Sequence, residues 1–120
     1  AGWARRGRNV LRTLQETGAE LAPEAVARYQ ALACSPRHVG AALSMMAHWD
    51  LDPLLRALPS LSSRLLAVAG RADRAVAPTE SARIAALVPH GRFAQLRGGH
   101  LAHEEYPVEA AQFILQELNA

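Results

Sequence analysis

A helical first half followed by strand, helix, strand and helix places this chain in the α/β class. Two observations carry that reading. The apolar residues recur at helical spacing up to about residue 60, and then the period changes. Beyond that point two short apolar runs, each with glycine at or just beyond its end, alternate with two amphipathic segments. The expected organisation is a helical, cap-like segment over residues 1–60 and a βαβα unit over residues 61–120.

The elements follow in order. The first helix is expected from about Trp3 to Gly18, with Val10, Leu11 and Leu14 on its apolar side. Gly18 stops it, because glycine accepts the left-handed conformation that helix ends often need. A second helix runs from Pro23 to Leu32, with proline in the first turn, where its missing N–H costs nothing. Cys34-Ser35-Pro36 interrupts it. A third spans Pro36 to His48, where Val39, Leu43 and Met46 share a stripe widened by Ala42 and Met45. Asp52-Pro53 reads as a cap and first turn for a short helix ending at Leu58, before Pro59. Arg64 to Ala69 is a nearly continuous apolar run closed by Gly70, the mark of a buried parallel strand. Pro78 to Val88 is an amphipathic helix, Arg92 to Leu96 a second strand, and Pro107 to Leu118 the last helix. The strands should lie side by side and parallel, joined by a right-handed crossover. Two parallel strands alone make a poor sheet, so further strands are expected, from sequence outside these residues in preference to an unusual dimer.

Composition limits the classes of function. Of the 120 residues, 50% are hydrophobic but only 5% aromatic, so the core must be built from Leu, Ala, Val and Ile. The net charge is +2, and positive charge is densest at the start, at Arg5, Arg6, Arg8 and Arg12. With no aromatic interleaving, zinc-ligand pairs or sustained basic stripe, a nucleic-acid partner is not expected. Cys34 is the only cysteine, which rules out an intrachain disulfide and fits a reducing compartment. No stretch approaches the roughly 18 apolar residues that would span a bilayer. A cytoplasmic setting without a transmembrane segment is expected, and no cofactor.

The residues that carry chemistry follow the two strands directly. Gly70-Arg71-Ala72-Asp73 comes after the first, and Gly98-Gly99-His100 after the second. In open parallel sheets reacting groups gather beyond the C-terminal strand ends. Neighbouring strands lie about 5 Å apart, so their tips can bring Asp73 and His100 into contact. A carboxylate beside an imidazole holds one ring tautomer and stabilises the ring when it gains a proton, as a hydrolytic base requires. The attacking group is missing. Ser35, Ser44, Ser60, Ser62, Ser63 and Ser81 all lie outside a Gly-x-Ser-x-Gly turn between strand and helix, and so does Cys34. The nucleophile is therefore expected outside this chain, or the chemistry has been lost.

In this order, Gly70-Arg71-Ala72-Asp73 with Val76 and Pro78, then Gly99-His100, resemble the closing segments of the α/β-hydrolase family. A narrower likeness joins the stretch from Met45 to Leu55 and the stretch from Gly99 to Glu105 to the magnesium-chelatase accessory proteins of photosynthetic bacteria. It extends from about Thr17 to Leu118. The resemblance implies the C-terminal portion of an α/β-hydrolase fold with part of a helical cap. It also implies a role beside magnesium chelatase in bacteriochlorophyll biosynthesis, with chelatase components or a tetrapyrrole as partners.

The remaining candidates are weighed on chemistry. Met46 and Trp49 could wall a flat apolar ligand or simply pack their helix. Arg71 and Arg74, near the strand-end opening, suit a ligand carboxylate. His103, Glu104 and Glu105 are read as capping and loop support ahead of Pro107, and no metal site is expected. Three functions stand open: an accessory protein of bacteriochlorophyll biosynthesis, a serine hydrolase of an ester or amide whose nucleophile lies elsewhere, and a non-catalytic helical interaction protein.

Overall fold

The computed structural model describes residues 2–119, with side chains from residue 9 onward. The basic side chains of Arg5, Arg6 and Arg8 therefore lie outside the described residues. Helices α1 (Gly2–Glu16), α2 (Pro23–Ala33), α3 (Pro36–Ala47) and α4 (Asp52–Ala57) form the first half. A 3-10 turn, Leu58–Ser60, leads into β1 (Leu65–Gly70), α5 (Pro78–Leu87), β2 (Gly91–Leu96), α6 (Ala102–Glu105) and α7 (Pro107–Leu118). The chain is thus mixed α/β, with a small parallel two-stranded sheet.

Local chemistry explains most boundaries. Gly18 adopts φ +83° just past α1, as the helix stop requires. Ser35 caps α3 by accepting a hydrogen bond from the His38 N–H at 3.3 Å. The start of α4 differs from expectation. Asp52 is already helical, and Asp50 Oδ1 accepts its N–H at 3.2 Å. Pro59 does not stop the chain's winding, because it falls in the first turn of the 3-10 segment, where no N–H is needed. Residues 102–105, expected as loop, form the short α6.

The strands pair in parallel, with Leu65 opposite Gly91 and Gly70 opposite Leu96. Helix α5 packs against both strands and supplies the crossover. Ala69, Ala85, Val88 and Leu96 are buried in this unit. Ala19, Ala25 and Val26 are buried in and after the α1–α2 link, and Ala102 in α6. The core is built from small aliphatic residues, as the composition implies.

The strand run is less buried than its sequence suggests. Val68 is 38% exposed and Phe93 36% exposed. An apolar run reads as buried only when neighbours cover both faces and both edges. Here β1 and β2 pair only with each other among the described residues. Helix α7 leaves Val108, Ile114, Leu115 and Leu118 exposed. The accessible surface is 8643 Å², against about 6,300 Å² for a compact folded chain of this mass. Much apolar surface therefore has nothing packed on it.

Candidate active site

The turn after β1 is built around one carboxylate. Asp73 Oδ1 accepts the N–H of Ala75 at 2.8 Å and that of Val76 at 2.9 Å. This Asx-type turn fixes the carboxyl group and leaves Oδ2 for a second partner. The partner is His100, whose Nδ1 lies 2.9 Å from Asp73 Oδ2. The pair forms because the strand ends are held in register beyond the ladder. Arg71 N–H donates to the Leu96 carbonyl at 2.9 Å, and Ala72 N–H to the Gly98 carbonyl at 2.8 Å.

The glycines before His100 do two separate jobs. Gly98 adopts φ +92°, which turns the chain out of β2. Gly99 is buried, and a side chain there would overlap the Gly18 carbonyl and the Ala19 nitrogen. The same loop is tied down from α6, where Glu105 Oε1 accepts the Gly99 N–H at 2.9 Å. Glu104 accepts the Tyr29 hydroxyl proton and lies 3.6 Å from Arg28, joining α2 to α6. Burial, the hydrogen bond to Glu104 and its negative charge push the Tyr29 phenol up to about 12, with Arg28 opposing. Glu104 and Glu105 thus support the loop and the helix packing. Among the described residues no group of three or more His, Cys, Asp or Glu side chains is placed to hold a metal ion.

Asp73 is 8% exposed at its side chain and His100 42%. Burial tends to raise the Asp73 carboxyl. The hydrogen bonds from Val76, His100 and Ala75, with the charge of His100, outweigh burial and hold it below its ordinary value of 3.8. An ionised carboxylate can only accept, so the Nδ1 facing it carries the ring proton. In a neutral ring Nε2 is then the basic nitrogen.

The unfolded chain protonates Asp73 near its ordinary value and the folded chain only lower down. This stabilisation is therefore complete above about 3.8 and is lost as pH falls through the lower, folded-state value. Urea melts between pH 5 and pH 2 are expected to show a loss of stability that Asp73→Asn makes shallower. Parallel acid profiles for the two proteins would rule out this assignment.

Asp73 and His100 open on a cavity of about 400 Å³ whose lining includes Val68, Val76, Ser81, Leu96 and His103. The cavity sits at the C-terminal end of β1 and β2, as the parallel topology predicts. Ser81 and His103 are the polar lining side chains that the sequence did not place there. The Pro78 signal fixes the start of α5, and with it the turn that brings Ser81 over the strand ends. Ser81 lies inside α5, away from a strand-to-helix turn, and no hydrogen bond joins it to His100 among the described residues. The other sequence candidates are not brought to the pair. Met46 and Trp49 are exposed, on α3 and just after it, and do not line the cavity. Arg71 and Arg74 are exposed beside it without forming its wall.

No protein-family profile matches the chain. No helix among the described residues is long and apolar enough to cross a membrane. Over 91 residues the chain is 41% identical to the magnesium-chelatase 30 kDa subunit of Rhodobacter capsulatus, a match that covers 76% of this chain. That match covers 32% of the subunit, so the chain spans about a third of the length of this relative. Over the matched residues the chain is related to that magnesium-chelatase-associated protein.

Proposed function

We propose that this chain is the C-terminal portion of an α/β-hydrolase-type accessory protein that serves magnesium chelatase in bacteriochlorophyll biosynthesis. The observation that carries this reading is the 41% identity over 91 residues to the chelatase-associated subunit. Residues 1–60 then belong to a helical cap and residues 61–120 to the end of the hydrolase-type core. The exposed apolar faces of β1, β2 and α7 support this division, because a larger sheet would cover them. The partners are chelatase components or the tetrapyrrole they act on. Met46 and Trp49 are proposed to meet its flat apolar surface, and Arg71 and Arg74 its carboxylates.

A second reading is favoured by one specific observation, the 2.9 Å contact between Asp73 and His100 beyond parallel strand ends. In this reading the protein is a serine hydrolase of an ester or amide, with its nucleophile outside the present residues. His100 takes the proton of the attacking hydroxyl and returns one to the leaving group, while Asp73 holds the charged ring.

The accessory reading is tested with protoporphyrin and its magnesium form. Each is expected to give a saturable change in absorbance on titration with the protein. The protein is also expected to raise the rate of magnesium insertion by chelatase at limiting porphyrin. Trp49→Ala or Met46→Ala should weaken binding about 10-fold, the loss of one well-buried apolar contact of roughly 1–3 kcal/mol. Linear, non-saturating spectra together with an unchanged chelatase rate would overturn the reading.

A further inference from the structure

We infer that the start of the α1–α2 link, residues 17–19, is a strap that positions the Asp73–His100 pair. One acceptor does most of this. The Thr17 carbonyl receives the Arg74 N–H at 3.1 Å and the His100 N–H at 3.3 Å. Arg74 directly follows the acid, and His100 is the base itself. A single carbonyl therefore ties together the two loops that carry the pair, 27 residues apart in sequence. The carbonyl is available because it lies past the end of α1, where carbonyls lack intrahelical donors. Thr17 is itself held in place, its N–H donating to the Thr13 and Leu14 carbonyls and its hydroxyl to Leu14 at 2.6 Å.

Packing gives the strap its rigidity. Gly18 lies so close to Ala72, the residue before the acid, that a side chain would strike its carbonyl oxygen and lie 3.1 Å from its carbonyl carbon. Gly99, the residue before His100, is packed on the Gly18 carbonyl and the Ala19 nitrogen. Ala19 is 2% exposed. Three backbones thus meet with no side chain between them, which only glycine permits. The helical first half therefore touches both loops that carry the pair. Its first link enforces the spacing between acid and base. This role rests on the reading of Asp73 and His100 as an acid–base pair, although the strap itself is defined by backbone contacts alone.

Amide hydrogen exchange on the 120-residue chain tests the strap. The Arg74 and His100 amides are expected to exchange together, slowed by about 100-fold or more relative to an unstructured chain. Gly18→Ala should speed both by about 10-fold or more, because alanine resists the left-handed backbone and meets Ala72. The amides of β1 and β2 should keep their rates, and the His100 ring nitrogens should lose their single-tautomer spectrum. Thr17→Ala keeps the carbonyl and should leave both amides protected. Unprotected or independently exchanging amides in the unaltered chain would overturn the strap, whether or not Gly18→Ala folds. Unchanged exchange in a folded Gly18→Ala variant would overturn it too. Asp73→Asn separates this inference from the acid–base reading. It should alter the ring tautomer and spare the two amides, whereas an unaltered ring would defeat the acid–base reading and leave the strap intact.

Discussion

Asp73→Asn is expected to lower acyl transfer by about 10,000-fold in the longer hydrolase-type protein proposed above, with the fold left in place. The two halves of that expectation come from the two oxygens of Asp73. Oδ1 accepts the N–H groups of Ala75 and Val76, and an asparagine carbonyl can accept both in its place. The turn therefore survives. The other position becomes an NH2 group, which donates. It faces His100 Nδ1, which now donates to a carboxylate oxygen at 2.9 Å. The ring must then move its proton to Nε2, and the nitrogen that should take the hydroxyl proton is blocked. His100→Ala should abolish turnover outright while its backbone N–H stays on the Thr17 carbonyl. The measurement is the burst of nitrophenol from an activated ester, with far-UV circular dichroism confirming the fold. The 120-residue chain alone should show no burst that depends on His100. Equal bursts from the unaltered, Asp73→Asn and His100→Ala proteins would show that the pair does no hydrolytic work, and would shift weight to the accessory reading.

Much of this geometry was legible in the sequence, for identifiable physical reasons. Proline fixes a helix start so narrowly that Pro23, Pro36, Pro78 and Pro107 open helices at the expected residues. Gly70 and Leu96 mark the strand ends, and parallel pairing then brings Asp73 and His100 to one place. What the sequence did not disclose depends on tertiary neighbours. The Arg64–Ala69 run reads as a buried strand, yet β1 is partly exposed because burial is set by what packs on a strand, not by its own residues. Residues 102–105 read as a loop because four residues are too few to show a helical period. Asp52 does not cap α4: Leu51 holds the cap position without a side-chain bond and Asp50 accepts the Asp52 N–H, a difference of one residue that propensity cannot resolve. Met46 lies on the apolar stripe of α3 and Trp49 just past its end, but periodicity says which side of a helix is apolar and not what it meets. The Thr17 contacts left no sequence signal, since they use a carbonyl that every residue possesses.

Gly70→Ala is expected to be among the most damaging single substitutions of a small residue in this chain. Gly70 ends β1 and is buried. An added methyl would overlap the Gly99 carbonyl oxygen, lie 2.6 Å from that of Gly98 and lie 2.9 Å from the Gly99 carbonyl carbon. All three neighbours are backbone, so no side-chain rotation relieves the clash. Relief requires the β1 and β2 ends to part. That would stretch the Arg71 and Ala72 hydrogen bonds and draw Asp73 away from His100. Overpacking usually costs about 1–3 kcal/mol, and a backbone-only clash belongs at or above the top of that range. A fall in melting temperature on the order of 10 °C is expected, with loss of the Asp73-bound tautomer of His100 in whatever remains folded. Gly40→Ala supplies the internal contrast. Gly40 lies inside α3, and beyond its own helix backbone and chain neighbours nothing comes within 4 Å of an added Cβ. There alanine should stabilise the helix by about 0.5–1 kcal/mol, since glycine has more backbone freedom to lose on folding. Thermal melts of the two variants should therefore move in opposite directions from the unaltered chain. If Gly70→Ala melts with the unaltered protein, the close approach of the two strand ends is absent in solution, and with it the basis for the acid–base pair.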